Sequence, residues 1–193
     1  MTCYSGDPAS GEEMVEPIKA FGSPIGDVMI RRPYAQLQSM LDATQPKGHR
    51  YYWKSEYLSE VEPELCDKFM THAEKIPSPH SALIFFQLEG ALNDIANDHS
   101  AVGNRDARYV LNIAGSWEEE EVDNVNIAWT RTAWDDMKSF STGGTYINFL
   151  TAGEGPQRNE AALGVNIKQL AKVKAKWDPD NVFRINRNIA PVK

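Results

Sequence analysis

The sequence predicts an α+β fold in which helices cover one side of an antiparallel sheet. Three observations carry that expectation. Strand-like and helix-like stretches alternate irregularly along the 193 residues, unlike the regular strand–helix order of a parallel sheet. Neither a repeat period nor a glycine-rich phosphate loop appears. Residues 50–58, 81–89 and 108–117 are short runs rich in aromatic and β-branched residues, bounded by turn-forming sequence, and read as strands.

Taken in order, Ser10 as N-cap and Glu12 and Glu13 in the first turn start a helix that stops near Gly22, with Pro17 disturbing it. Residues 27–31 read as a short strand, and 34–41 as a short helix with Leu37, Met40 and Leu41 inward. After a polar loop, the strand over 50–58 places Tyr52, Lys54 and Glu56 on one face and Tyr51, Trp53, Ser55 and Tyr57 on the other. Val61, Leu65, Phe69, Ala73 and Ile76 form the apolar stripe of a helix over 62–76, with Pro63 in its first turn. Pro77-Ser78-Pro79 ends that helix, and Leu83, Ile84, Phe85, Phe86 and Leu88 mark a central strand.

A polar loop over 93–106 leads to the strand over 108–117. The acidic run 118–121 suits the first turn of a helix carrying Val122, Val125, Trp129, Ala133 and Met137. After Gly143-Gly144, residues 145–150 read as a buried strand holding one amide, Asn148. Leu163, Ile167, Leu170 and Val173 then stripe a helix over 158–177, which Asp178-Pro179-Asp180-Asn181 stops. No linker rich in Pro, Gly or Ser divides the chain, so 1–193 reads as a single domain.

A chain of this size buries ~70% of its surface, and 41% hydrophobic residues with five tryptophans describe a folded globule. The net charge of −7 offers no footprint for nucleic acid or an anionic membrane. No apolar run reaches the ~20 residues a membrane helix needs, and the first residues lack a signal-peptide pattern, so the cytoplasm is the expected location. Cys3 and Cys66 make no metal or redox spacing, and Cys66 is expected as a structural thiol on a helix. The histidines His49, His72, His80 and His99 fall in loops or on a polar helix face, and no metal site is expected.

Specific stretches carry a family resemblance. Tyr146-Ile147-Asn148-Phe149-Leu150, the helix after it, Trp177-Asp178-Pro179-Asp180-Asn181-Val182-Phe183-Arg184 and the ending Asn186-Arg187-Asn188-Ile189 resemble the C-terminal segment of berberine-bridge-type FAD-linked oxidases of the vanillyl-alcohol-oxidase-like superfamily. Arg50-Tyr51-Tyr52-Trp53-Lys54-Ser55, Ala101-Val102-Gly103-Asn104-Arg105-Asp106-Ala107, Gly115-Ser116-Trp117, Gly6-Asp7-Pro8 and Ala20-Phe21-Gly22-Ser23-Pro24 are similar to the substrate-binding domain of bacterial members. The resemblance implies a substrate-binding part over about 1–144 and a C-terminal segment over about 145–193. It implies FAD as cofactor, and a flavin-holding domain of the family that is missing from these residues.

The same resemblance assigns candidate residues. In the family an antiparallel sheet lies over the flavin, with side chains from alternate positions lining the substrate pocket; Trp53, Ser55 and Tyr57, and Gln87 and Glu89 on the next strand, hold such positions. The bland alternative is that the aromatics are simply packed. Burial of a carboxylate at a strand end raises its pKa and tunes it as a base, which makes Glu89 the candidate catalytic group; an exposed strand end is its alternative. Asn148 matches the family asparagine beside the flavin, with Tyr146, Asn186 and Asn188 as further cofactor-binding candidates. Phe149 stands where some plant members place a tyrosine base and cannot accept a proton. Arg187 replaces the usual glutamine of Asn-Gln-Asn and can donate to a cofactor oxygen, though not with an amide's geometry.

The expected function is thus the substrate-binding and C-terminal portion of an FAD-dependent oxidoreductase. It passes hydride from a small-molecule substrate to flavin, oxygen reoxidises the flavin, and a separate FAD-binding chain acts in trans. The alternative is a non-enzymatic binding or homodimerisation domain that buries Trp53 and Tyr57 against its own copy; in either reading nucleic acid and membrane are not partners.

Overall fold

The computed structural model describes residues 2–151 and 153–192, and the chain divides into two compact units, one up to Pro46 and one from Lys47 on. The first unit holds helices α1 (Pro8–Lys19) and α2 (Tyr34–Ser39). Asp7, not Ser10, caps α1: its Oδ1 accepts the Ala9 N–H at 3.2 Å, and Pro8 takes the first helical position, where a missing N–H costs nothing. Residues 27–31 do not form the expected strand. Asp27 Oδ1 accepts the Met29 N–H at 2.7 Å, a side-chain-closed turn that diverts the backbone from a ladder.

The second unit is built on three strands, β1 (Arg50–Leu58), β2 (Ala82–Gln87) and β3 (Tyr109–Trp117), in the order β1-β3-β2 with both pairings antiparallel. The fold is α+β, as the sequence predicts. Register fixes which side chains share a face, because paired residues point the same way. Lys54, Ile113 and Leu83 lie in one row, as do Leu58, Tyr109 and Gln87. The opposite face carries the rows Trp53, Ala114 and Ala82; Ser55, Asn112 and Ile84; and Tyr57, Val110 and Phe86.

Helices α3 (Pro63–Ala73) and α4 (Asp123–Met137) cover the first of these faces. Their contact is the main core: Leu58, Leu65, Leu111, Ile113, Trp129, Ala133 and Met137, with Phe69 stacked on Phe85 at 4.7 Å. The Trp129 indole N–H, buried there, is satisfied by the His72 carbonyl at 3.1 Å. Gly115 lets α4 come close: a Cβ at that position would stand 2.8 Å from Thr130 Oγ1 and 2.9 Å from the Tyr52 carbonyl. Cys66 of α3 is exposed, so it is not the structural thiol expected from its helical position.

The C-terminal residues do not add a buried strand. Residues 141–145 run beside the outer edge of β1, and then Ile147–Phe149 turn as a 3-10 helix with Tyr146 and Asn148 exposed. The reason is side-chain spacing. In a 3-10 turn residues i and i+3 eclipse, so Tyr146 and Phe149 meet at 5.0 Å; in a strand they would point to opposite faces. The single helix expected over 158–177 is two, α5 (Gly155–Leu163) and α6 (Ile167–Trp177). Gly164, at φ 55° and ψ −136°, breaks it in a conformation that side-chain-bearing residues avoid.

An edge strand exposes carbonyls that need partners, and the C-terminal segment supplies them. The carbonyl of Trp53 accepts from Thr151 Oγ1 at 3.3 Å. That of Ser55 accepts from Thr145 Oγ1 at 2.9 Å and Arg158 Nη2 at 2.8 Å, and that of Tyr57 from the Thr142 N–H at 2.9 Å. The loop Gly103-Asn104 docks on the same segment, with Asn104 Nδ2 donating to the carbonyls of Ala161 and Ala162.

Candidate functional site

The face of the sheet turned away from α3 and α4 is aromatic and polar at once. Phe149 stands at its centre, edge-on to Trp53 at 5.9 Å, near Phe86 at 5.8 Å and edge-on to Tyr146. Beneath lies a small apolar patch of Tyr57, Ala107 and Val110 against Leu88 and Phe149. Along this face, three buried polar atoms have no hydrogen-bond partner among the described residues: Trp53 Nε1, Asn112 Oδ1 and, in the Tyr51 row, Ser116 Oγ. Asn112 and Ser116 are 4% and 1% exposed, and buried polar atoms left unpaired in a folded protein are uncommon and costly. An indole donor and an amide oxygen of this kind are groups that a polar, flat ligand satisfies.

The sequence-predicted residues fall on this frame unevenly. Trp53 lies on the face as expected. Ser55 does too, but it is 1% exposed and its hydroxyl is engaged by Thr145 Oγ1 at 2.7 Å, so it holds the C-terminal segment rather than a ligand. Tyr57 is 6% exposed, and burial, with the Tyr146 phenol adding to it, pushes its hydroxyl up to about 12, so it keeps its proton.

Gln87 is on the other face, in the Leu58 row, and donates to Glu89 at 2.7 Å; it cannot line a pocket with Trp53 and Tyr57. Strand parity shows that the β2 residues on the aromatic face are Ile84 and Phe86. Glu89 is exposed, and the amide of Gln87 and the guanidinium of Arg108 hold its carboxyl below the usual range. The raised pKa that recommended Glu89 as a base is therefore absent, because the strand end it closes is open to water and carries an arginine partner.

Tyr146 and Asn148 do meet at the rim of the face, where Asn148 Nδ2 donates to the Tyr146 hydroxyl at 2.8 Å. Asn186 and Asn188 are exposed, and the backbone of Asn186 turns through φ 65°. Arg187 between them donates to the carbonyls of Leu150 and Thr151, the second at 3.1 Å. Its guanidinium is an internal clamp that ties the tail to the loop after Phe149, not a free donor.

Sequence reasoning missed a buried charge cluster beside the edge of β1. Lys54 and Glu56, on the helix face, are 8% and 2% exposed. Lys54 pairs with Glu154 at 3.2 Å, and Arg158 bridges Glu56 at 2.9 Å and Glu154 at 3.3 Å. Glu56 also accepts from the Trp134 indole at 2.6 Å and the Ser141 hydroxyl at 2.5 Å. Burial raises the Glu56 carboxyl above its ordinary value despite these donors. Burial pushes Glu154 the same way, but the Thr151 N–H and Lys54 prevail and hold it low. Alternating charges inside a strand, as at Lys54 and Glu56, were the one available signal.

The family described as "Berberine and berberine like" matches residues 145–190. An FAD-linked oxidoreductase of Dictyostelium discoideum is 26% identical over 196 residues, covering 100% of this chain and 42% of its own length. A tetrahydroberberine oxidase of Berberis wilsoniae is 27% identical over 184 residues, covering 81% of this chain and 33% of its own. The C-terminal segment thus matches that family's model, and over most of its length the chain is similar to FAD-linked oxidoreductases. The solved structure of the Physcomitrella patens berberine-bridge-like protein 1 superposes with a TM-score of 0.72 at 18% identity, covering 98% of this chain and 44% of that one. The chain thus spans about two-fifths or less of the length of the relatives it matches. Among the described residues no helix is long and apolar enough to cross a membrane.

Proposed function

We propose that the aromatic face of the sheet is the substrate- and flavin-facing wall of an FAD-dependent oxidoreductase. The observation that carries this reading is the pair of orphaned buried groups, Trp53 Nε1 and Asn112 Oδ1, set among the rings of Trp53, Phe86 and Phe149. Planar, apolar rings with a few unpaired donors and acceptors suit one side of an isoalloxazine or a flat substrate. FAD, when bound, would accept a hydride from a substrate carbon; that chemistry belongs to the cofactor.

The residues of this chain bind and orient. Trp53, Phe86 and Phe149 pack against the ligand and exclude water, and Asn112 reads a polar edge. Tyr146 and Asn148, already hydrogen-bonded to each other, present a phenol and an amide at the rim, where they would hold the flavin. Phe149 holds no proton acceptor and Tyr57 keeps its proton, so the base comes from outside this face. The C-terminal segment holds the wall in place through the edge of β1, and Arg187 fixes Asn186 and Asn188 beside it. A flavin-holding domain supplies the rest of the cofactor's contacts.

The visible absorption spectrum of the purified protein, with and without added FAD and beside a gel-filtration mass, tests the reading. A flavin band that co-elutes with the protein, or that shifts on mixing and loses the shift in Asn148→Ala, is the expected result. A colourless protein whose spectrum with FAD is the sum of its parts, and which elutes as a dimer closed through Trp53, would overturn it.

A further inference from the structure

We propose that His49, His80 and Glu118 form a binding site for a divalent first-row transition metal such as zinc, independent of the flavin-facing wall. The three residues come from three separate loops. His49 precedes β1, His80 precedes β2 and Glu118 follows β3, and the antiparallel register brings these three strand termini to one end of the sheet. No sequence spacing announces the site, because the fold and not a motif assembles it.

The geometry suits a small coordination sphere. Two metal–ligand bonds of about 2.1 Å at the tetrahedral angle place their donor atoms about 3.4 Å apart. His80 Nε2 lies 3.0 Å and His49 Nε2 3.7 Å from Glu118 Oε1, on either side of that spacing. One ligand atom from each of the three residues lies within 4.8 Å of the others. The two imidazoles meet edge to face at 4.6 Å. His80 Nε2 and Glu118 Oε1 are also within hydrogen-bond distance, whereas His49 Nε2 is not, and His49 Nδ1 is buried with no partner among the described residues.

The donor set selects the metal class. Two imidazoles and one carboxylate suit zinc and its neighbours, whereas calcium and magnesium prefer oxygen cages. Three protein ligands leave a fourth position open. Surrounding charge favours a cation, since Glu119, Glu120 and Glu121 follow Glu118, and the nearby Arg50 is already paired with Asp123 and Glu120. A metal here ties the starts of β1 and β2 to the end of β3, so it stabilises the sheet by mass action.

The experiment uses tag-free protein stripped with chelator. Zn2+ binding is followed by calorimetry and Co2+ binding by its visible ligand-field bands, with a thermal melt in the presence and absence of Zn2+. One equivalent should bind and raise the melting temperature. His80→Gln and Glu118→Gln, both at exposed side chains, should each weaken binding by about tenfold or more, and His99→Gln should leave it unchanged. Circular dichroism confirms that the variants fold. No saturable binding, or binding that survives both His80→Gln and Glu118→Gln, overturns the proposal.

Discussion

Tyr57 shows how one side chain can look like a ligand contact in sequence and act as a packing group in structure. Its place on β1 puts it on the aromatic face, but Ala107, Val110 and Gly144 close around it, and burial raises its hydroxyl to about 12. The folded chain therefore holds this proton more tightly than the unfolded chain, whose tyrosines titrate near 10. Its contribution to stability is complete below pH 10 and is lost as pH rises towards 12. Urea midpoints should show the unmodified protein losing about 1 kcal/mol more than Tyr57→Phe between about pH 9 and about pH 11. Parallel losses in the two proteins would mean that the hydroxyl is solvated. Glu89 is the opposite case: the residue was legible, but its Arg108 partner, 19 positions away, was not.

Between elements, α5 is joined to β1 by Arg158, which reaches Glu56, Glu154 and the Ser55 carbonyl. Glu56 is almost fully buried, so removing its cation leaves a carboxylate with too few partners. Arg158→Ala should cost about 3 kcal/mol or more in urea unfolding, and adding Glu56→Gln should recover part of the loss by removing the stranded charge. A cost below about 1 kcal/mol would place the pair among ordinary surface ion pairs.

The strands were readable because alternation and aromatic content persist over 50–58 and 108–117, and β1 and β3 occupy those positions nearly residue for residue. Parity along β1 was readable as well. Parity between strands is not, since register depends on pairing, and the ladder puts Gln87 on the face away from Trp53. The strand expected at 145–150 failed for a related reason. Aromatic and β-branched content signals burial, yet Tyr146 and Phe149 satisfy it three residues apart in a 3-10 turn.

Across the second unit, the sheet presents two unlike faces and one sealed edge. α3 and α4 bury the apolar face, the C-terminal segment seals the outer edge of β1, and the aromatic face keeps polar groups with no partner among the described residues. Residues 145–190 match the berberine-like family model, and in the fold that segment completes the edge of the strand that carries Trp53. The charge cluster and the loop-assembled histidines stayed hidden, because their members are brought together only by tertiary contact.

The central claim is that this face takes a flat ring, not the nucleotide end of the cofactor. Titration of tryptophan fluorescence with riboflavin and, separately, with adenosine diphosphate tests it most directly. The account predicts saturable quenching by riboflavin that Trp53→Leu and Phe149→Ala both weaken, and no response to the diphosphate. A response to adenosine diphosphate alone, or riboflavin quenching indifferent to both substitutions, would contradict it.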